Sequence, residues 1–324
     1  MGKISFMNVR KIDSIGDCSE QLDAESSSLY LLIVNYYSVT LISNLLTSGD
    51  LGEHRPTVVV VNNSRDDKEI ILLTKIYPSL ILIEAGRNLG FGGGCNIGLK
   101  WIYQQNLNAL VWLINPDTTL DRNAIFYIRS CFERHPNLAI LGTSIRNSLG
   151  AIWFRSGAFN PWTGSVTHLN AFPKKFILEN HPWQSAQSNL LIAPSRWVSG
   201  CSLIIHMAHF DDCPVFDENM FLYYEDSEFC ERYGRLGKNI AVTQKSLVTH
   251  IVSGTTSRDK KAQLNHATFS KLYFLKKHGT LLSLYLNLIY FSTQIFWGQL
   301  TSNTNFAVGR WQGVRSFLKF NMTH

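Results

Sequence analysis

The sequence predicts a doubly wound α/β sheet. Three observations carry that prediction. From residue 29 onward short apolar runs alternate with helix-length segments, the runs are continuous rather than alternating in hydrophobicity, and asparagines lie at or just past the ends of several. Buried parallel strands read as unbroken Val/Ile/Leu runs, and strand–helix alternation implies right-handed crossovers. In such sheets ligands bind beyond the carboxyl ends of the strands, so Asn35, Asn62, Asn88 and Asn115 converge on one crevice.

The elements follow in order. Residues 1–28, including the polar stretch 13–28, read as a loosely ordered leader, and no long apolar core behind the first basic residue marks a signal peptide. Strands are expected over 29–34, 57–61, 80–83, 109–114 and 138–141. Helices are expected over 40–47, 67–77, 95–105 and 122–133. From 151 to 191 the texture changes to Trp, Phe, Pro, Gly and His without helical period, which reads as short antiparallel strands and loops on an acceptor side. A strand is expected over 198–205. A helix follows over 225–236, with acids in its first turn, Glu228 and Arg232 paired at i,i+4, and Gly237 to stop it; a strand over 239–242 comes next. The charge-free stretch 281–297 puts Ser283, Asn287, Gln294 and Gly298 on one face of a helix with a broad apolar side. It reads either as an interfacial membrane helix flanked by Arg310, Arg315 and Lys319, or as a helix packed on the preceding domain.

Composition narrows the function classes. A formal charge of +6 over 324 residues with 45% apolar content suits a large globular unit and does not select a partner. No arginine-rich tract or RNA-binding aromatic signature supports nucleic acid. The six cysteines (Cys18, Cys95, Cys131, Cys201, Cys213, Cys230) are scattered without zinc spacing and read as reduced thiols filling core space.

Two acidic motifs carry the chemistry. Asn115-Pro116-Asp117 ends an apolar run, and Glu225-Asp226 closes an aromatic stretch that also contains Asp217 and Glu218. Carboxylates at the end of a hydrophobic segment are costly to desolvate unless they bind a cation or transfer protons. A hard divalent ion such as Mg²⁺ or Mn²⁺ often takes one or two carboxylates plus substrate phosphates, so Asp117 suffices as anchor, with Asn115 beside it. Asp226, at a helix start, suits removal of a proton from an acceptor hydroxyl. The glycine-rich turn Asn88-Leu89-Gly90-Phe91-Gly92-Gly93-Gly94-Cys95-Asn96 brings backbone close to a ligand and launches a helix near Cys95. It matches neither the dinucleotide fingerprint nor the P-loop, and Tyr36-Tyr37-Ser38 after the first strand argues against a dehydrogenase. His250 is a candidate metal ligand or diphosphate contact. The remaining histidines show no ligand spacing. Trp197, Tyr223 and Tyr224 read as sugar platforms or as core.

Taken in order, these residues resemble the family 2 inverting glycosyltransferases with the GT-A fold, especially the rhamnosyltransferase-like branch. The matching pieces are Ile33-Val34-Asn35-Tyr36, Val60-Val61-Asn62-Asn63-Ser64, the run Asn88 through Gly98, Leu113-Ile114-Asn115-Pro116-Asp117, Trp197-Val198-Ser199-Gly200-Cys201, and Phe216-Asp217-Glu218 through Glu225-Asp226, continued by Glu231-Arg232 and His250. The resemblance spans residues 29–278. It implies a Rossmann-like, mostly parallel sheet flanked by helices over 29–260, with a nucleotide-sugar half (29–145), an acceptor half (146–260), and a helical tail over 261–324. It implies that Asn35, Tyr36 and Asn62 lie beside the donor nucleotide and that Asn88, Phe91, Gly92, Gly93, Asn96 and Asn115 flank the nucleotide sugar. Asp117, with His250, would hold the metal on the diphosphate. Asp226 would be the general base, assisted by Glu225. Trp197, Gly200 and Tyr224 would line the acceptor side, with Gly200 leaving room for the sugar. The family usually carries aspartate where this chain has Asn62.

The implied activity is transfer of a sugar, with rhamnose favoured by the branch, from a dTDP- or UDP-sugar to a saccharide or lipid-linked acceptor. It would serve cell-surface polysaccharide synthesis in the cytoplasm, at the inner face of the membrane. A sugar-phosphate nucleotidyltransferase and a catalytically degenerate sugar-binding protein are the alternatives.

Overall fold

The computed structural model describes residues 28–49, 51, 56–172, 191–251 and 259–323; the leader and the Ser253-Gly254-Thr255-Thr256 segment lie outside them. The unbroken apolar runs become the centre of a sheet in the order β10 (Ile192–Pro194), β12 (Asn239–His250), β6 (Leu138–Asn147), β11 (Ser202–His206), β4 (Leu110–Ile114), β1 (Leu29–Asn35), β2 (Thr57–Asn62) and β3 (Ile81–Glu84). Strands β1 (Leu29–Asn35), β2 (Thr57–Asn62), β3 (Ile81–Glu84) and β4 (Leu110–Ile114) pair in parallel. Helices α1 (Val39–Leu46), α2 (Ile70–Ile76) and α3 (Gly90–Gln105) make the crossovers. The sheet continues through β11 (Ser202–His206), antiparallel to both β4 and β6 (Leu138–Asn147), and β12 (Asn239–His250), parallel to β6. Helix α4 (Ala124–Arg134) precedes β6.

Several boundaries differ from the sequence expectation. Helix α3 starts at Gly90 rather than Cys95, because Asn63 and Asn88 hold the segment ahead of it. A short strand β5 (Thr118–Leu120) follows Asp117 and pairs with the far end of β12, which runs on to His250. The strand expected over 198–205 begins only at Ser202; the residues before it form the turn that carries Gly200. Strand β3 is shifted by one residue and takes in Glu84.

Beyond β7 (Ile152–Phe154), the chain forms the hairpin β8 (Ser156–Asn160)–β9 (Ser165–Leu169), and β10 (Ile192–Pro194) edges β12. Helix α5 (Glu225–Arg235) carries the acidic pair at its first two positions. Three helices close the chain: α6 (Lys260–His278), α7 (Leu281–Leu300) and α8 (Thr304–Thr323). They dock through a second apolar cluster in which Phe159 of β8 and Met220 meet Phe274, Phe291 and Phe317. Helix α7 is apolar on both faces. Ser283, Asn287, Phe291 and Gly298 are buried against the protein, with Leu284, Leu288 and Ile295 packed beside them, while Ile289 and Phe296 are 62% and 61% exposed. No helix among the described residues is long and apolar enough to cross a membrane.

Candidate active site

Three strand tips form a polar row. In the parallel register Asn35 stands opposite Asn62, and Asn62 opposite Glu84. Asn35 Nδ2 donates to Asn62 Oδ1 at 3.0 Å and to Asp67 Oδ2 at 2.9 Å; Asn62 Nδ2 donates to Glu84 Oε2 at 2.9 Å. The two buried amides thus fix each other's orientation, and the carboxylates of Asp67 and Glu84 terminate the row. Tyr36 follows directly, half exposed, with its ring edge-on to Tyr37 at 5.0 Å.

Asn63, given no role of its own by the sequence, holds the glycine segment. Its Oδ1 accepts from Leu89 N at 2.9 Å, and its Nδ2 donates to Gly90 O at 2.9 Å and Asn88 Oδ1 at 3.3 Å. Gly90 has φ +77°, and a Cβ there would land on the carbonyl oxygen of Phe221, which also accepts from Phe91 N at 3.2 Å. The position therefore needs glycine, both for the left-handed backbone and for the close approach. Gly92 and Gly93 are buried against Phe216 and Leu89. Asn96 is buried too: its Oδ1 accepts from Phe216 N at 2.7 Å, and its Nδ2 donates to Phe216 O and Glu218 Oε1 at 3.0 Å each. Contrary to the sequence expectation that they flank the donor, these three residues are buried in packing, and Gly92 and Asn96 hold Phe216 and the loop it opens against α3. Phe91, only partly buried, stays at the crevice, edge-on to Phe216 at 6.1 Å.

The turn after β4 carries the first carboxylate. Asn115 N donates to Cys201 O at 3.0 Å, and Thr118 Oγ1 donates to Asn115 O at 2.7 Å. Ile251 N donates to Asp117 O at 2.8 Å, which sets the end of β12 beside the turn. His250 Nε2 consequently lies 3.2 Å from Asp117 Oδ2. His250 Nδ1 is buried and finds no hydrogen-bond partner among the described residues, and the ring lies 4.8 Å from that of Trp153. Among the described residues no group of three or more His, Cys, Asp or Glu forms a complete metal cage. The Asp117 carboxylate and the His250 Nε2 beside it nevertheless fit an ion whose remaining ligands are diphosphate oxygens and water.

The second carboxylate sits across a dipeptide from the first. Gly200 N donates to Asp226 Oδ2 at 3.1 Å, and the next residue, Cys201, is the one that binds Asn115. Burial, then Asp117, then Asp226 raise the Cys201 thiol well above its usual range, so both carboxylates bear on one sulfur. Asp226 Oδ1 accepts from Ser227 N at 2.7 Å and Ser227 Oγ at 3.3 Å. Burial raises the Asp226 carboxyl, against these hydrogen bonds and the nearby His168. Glu225 is more deeply placed, with Oε2 unpaired among the described residues; burial first and Asp226 second raise it well above a normal carboxylate. Asp226 has hydrogen bonds from Gly200 N, Ser227 N and Ser227 Oγ that oppose its rise, and Glu225 has no such partner for Oε2, so burial bears more heavily on Glu225. The preceding Tyr223 and Tyr224 both adopt left-handed backbone, φ +70° and +65°. Such a pair costs about 1–3 kcal/mol per residue and is typical of functional loops.

Three acceptor-side expectations are corrected. Trp197 is only 3% exposed, and its Nε1 donates to Ala158 O at 3.2 Å, so it is core. Tyr224 packs on Phe274 of α6, with ring centroids 5.8 Å apart. Gly200 makes room for protein rather than for sugar: a Cβ there would stand 2.9 Å from Phe91 Cε1. What faces the cleft instead is His168 of β9, exposed, edge-on to Trp153 and Trp197 at 5.2 Å each, and within electrostatic reach of Asp226. Nothing in its sequence context distinguished it from the other histidines.

No family model matches the chain. Over 264 residues it is 24% identical to the N-acetylglucosaminyl-diphospho-decaprenol L-rhamnosyltransferase of Mycobacterium tuberculosis, covering 78% of this chain and 85% of that one. It is 27% identical over 220 residues to the low-salt glycan biosynthesis hexosyltransferase Agl10 of Haloferax volcanii, covering 67% and 64%. Among solved structures, GalNAc-T7 with UDP, GalNAc and Mn²⁺ superposes with TM-score 0.58 at 11% identity, over 78% of this chain and 48% of that one.

Proposed function

We propose that this chain, a GT-A glycosyltransferase of the rhamnosyltransferase-like kind, moves a sugar from a nucleoside diphosphate carrier onto a saccharide or lipid-linked acceptor in cell-surface polysaccharide synthesis, with inversion. The observation that carries the reading is the Gly200-Cys201 dipeptide, which ties the Asp226 carboxylate to the Asp117 turn. A metal-anchoring carboxylate and a proton-accepting carboxylate on either side of two residues suit one activated sugar held between them.

In this reading residues 29–145 take the donor and 146–260 the acceptor. The buried Asn35–Asn62 pair orients Glu84 at the end of the row, and Glu84 and the open ring of Tyr36 meet the base and ribose of a dTDP- or UDP-sugar. Phe91 and Asn88 border the sugar. Asp117 and His250 would hold Mg²⁺ or Mn²⁺ on the diphosphate, where the ion offsets the negative charge that builds on the leaving group. Asp226, ionised and held by Gly200 and Ser227, takes the acceptor hydroxyl proton as that oxygen attacks the anomeric carbon from the face opposite the diphosphate. Glu225 keeps its proton and adds no second negative charge. The electron pair of the broken C–O bond leaves with the nucleoside diphosphate. Membrane contact at the inner face through the C-terminal helices completes the reading.

The test is a screen of dTDP- and UDP-sugars for metal-dependent thermal stabilisation, followed by NMR of the product linkage. Inversion at the anomeric carbon is expected. Retention, or pyrophosphate release from a nucleoside triphosphate and a sugar 1-phosphate, overturns the reading.

A further inference from the structure

We propose that the outer faces of α7 and α8 form one docking surface for an anionic lipid bilayer, and that this surface sets the acceptor side of the cleft just above the headgroups. The proposal deepens the lipid-linked-acceptor reading above and rests on it only for its purpose.

Helix α7 settles which side faces out. Asn287 Nδ2 donates to Thr163 O at 3.0 Å and to Ser283 O at 2.8 Å, and Gly298 lies against Ala307 of α8. Asn287 and Gly298 are therefore consumed by the protein together with Phe291, and a second apolar stripe through Tyr285, Ile289 and Phe296 is left outward. A soluble surface helix carries polar residues on that side. Burying such an apolar stripe against a second apolar surface is favourable by about 25 cal/mol per Å².

Helix α8 supplies the choice of partner. At helical spacing its exposed positions include Trp311, Arg315 and Lys319, an aromatic beside two cations. Residues 260–324 hold eight of the chain's 30 Lys and Arg and none of its 24 Asp and Glu. A second copy of the chain would bring the same positive charge to the contact. An anionic bilayer offers the opposite charge and an apolar interior together, and α7, too polar on its inner face and too short in apolar content to span, would lie in the interface.

The hairpin β8–β9 connects this surface to the chemistry. Thr280 N donates to Pro161 O at 3.1 Å, and Trp162 at the hairpin tip is 64% exposed beside the start of α7. From Gly164, which touches Asn287, to His168 in the cleft is four residues of strand, about 13 Å at the strand rise. An acceptor whose lipid stays in the bilayer and whose sugar stands at headgroup level spans that distance.

The experiment is co-sedimentation of the full chain with vesicles of phosphatidylcholine alone or mixed with phosphatidylglycerol. Pelleting is expected with the anionic vesicles and should fall with added salt. Ile289→Ser/Phe296→Ser and, separately, Arg315→Gln/Lys319→Gln should each lower the partition coefficient more than about tenfold, with donor hydrolysis and melting temperature unchanged. Failure of the parent to pellet with anionic vesicles, or pelleting that neither pair of substitutions alters, overturns the proposal. So does a concentration-dependent dimer in light scattering that the same substitutions disperse. Loss of donor hydrolysis by the parent itself would count against the glycosyltransfer reading and not against the docking surface.

Discussion

Gly200 and Asp226 are joined by a backbone hydrogen bond of 3.1 Å, and a Cβ on Gly200 would stand 3.5 Å from Asp226 Cβ and 2.9 Å from the Phe91 ring. The glycine thus sets the proposed base and the ring bordering the donor at once. Gly200→Ala forces the Phe91 ring to move. Displacements of about 1 Å in a positioned group cost about 100-fold, so kcat should fall about 10- to 100-fold with the fold retained. Steady-state kinetics alongside circular dichroism checks this; unchanged kcat would mean the contact is not part of the working geometry.

The Asp117–His250 pair predicts metal dependence. Asp117→Asn and His250→Ala should each raise the Mn²⁺ concentration for half-maximal activity more than about tenfold. Activity that survives both substitutions and prolonged chelation would remove the pair from the proposed diphosphate site.

Glu225 predicts a pH-dependent stability. Its carboxyl is raised by burial, so the folded chain binds a proton that the unfolded chain releases, and stability falls as pH rises from the ordinary carboxylate range toward the raised value. Glu225→Gln removes that slope. The variant should match or trail the parent near pH 5 and melt several degrees higher above pH 8, at about 2–4 °C per kcal/mol. Parallel melting curves across that range would show that Glu225 is not held protonated.

Glu228 predicts the opposite slope. It is fully buried, and although burial raises it, hydrogen bonds from His278, Arg232 and Lys277 together with the Arg232 charge bring it down to about 2. Its contribution is present above the ordinary carboxylate range and lost as pH falls toward 2. Glu228→Gln leaves those cations uncompensated where α5 meets α6 and should cost about 3–5 kcal/mol near neutrality, narrowing in acid. Denaturant unfolding at two pH values measures both the size and the trend.

The positions of several candidate residues were legible in the chain, for identifiable reasons. Unbroken apolar runs declare parallel strands, and the polar residues that end them collect at one edge of the sheet, which is why periodicity placed Asn35 and Asn62 at strand ends and Asp117 just past one. The acids at the start of α5 were legible as a helix opening. What stayed hidden depends on long-range pairing. The Gly200-Cys201 bridge joins segments on β11, β4 and α5, and Asn63 acts on residues 26 and 27 positions away. Trp197 and Tyr224 carry side chains that serve as platform or as core according to what packs over them, here β8 and α6. His168 comes within electrostatic reach of Asp226 through the pairing of β8 with β9. The outward apolar stripe of α7 had the right period, but period alone does not say which stripe faces the protein.

The central claim is that Asp226 removes the acceptor proton while Asp117 and His250 hold the donor, and Asp226→Asn tests it most directly. The substitution keeps the shape and the Gly200 contact but removes the base, so turnover should fall about 100- to 10,000-fold with metal-dependent donor affinity, read by calorimetry, unchanged. Turnover within about threefold of the parent would contradict the account, because general base catalysis by Asp226 would then contribute almost nothing.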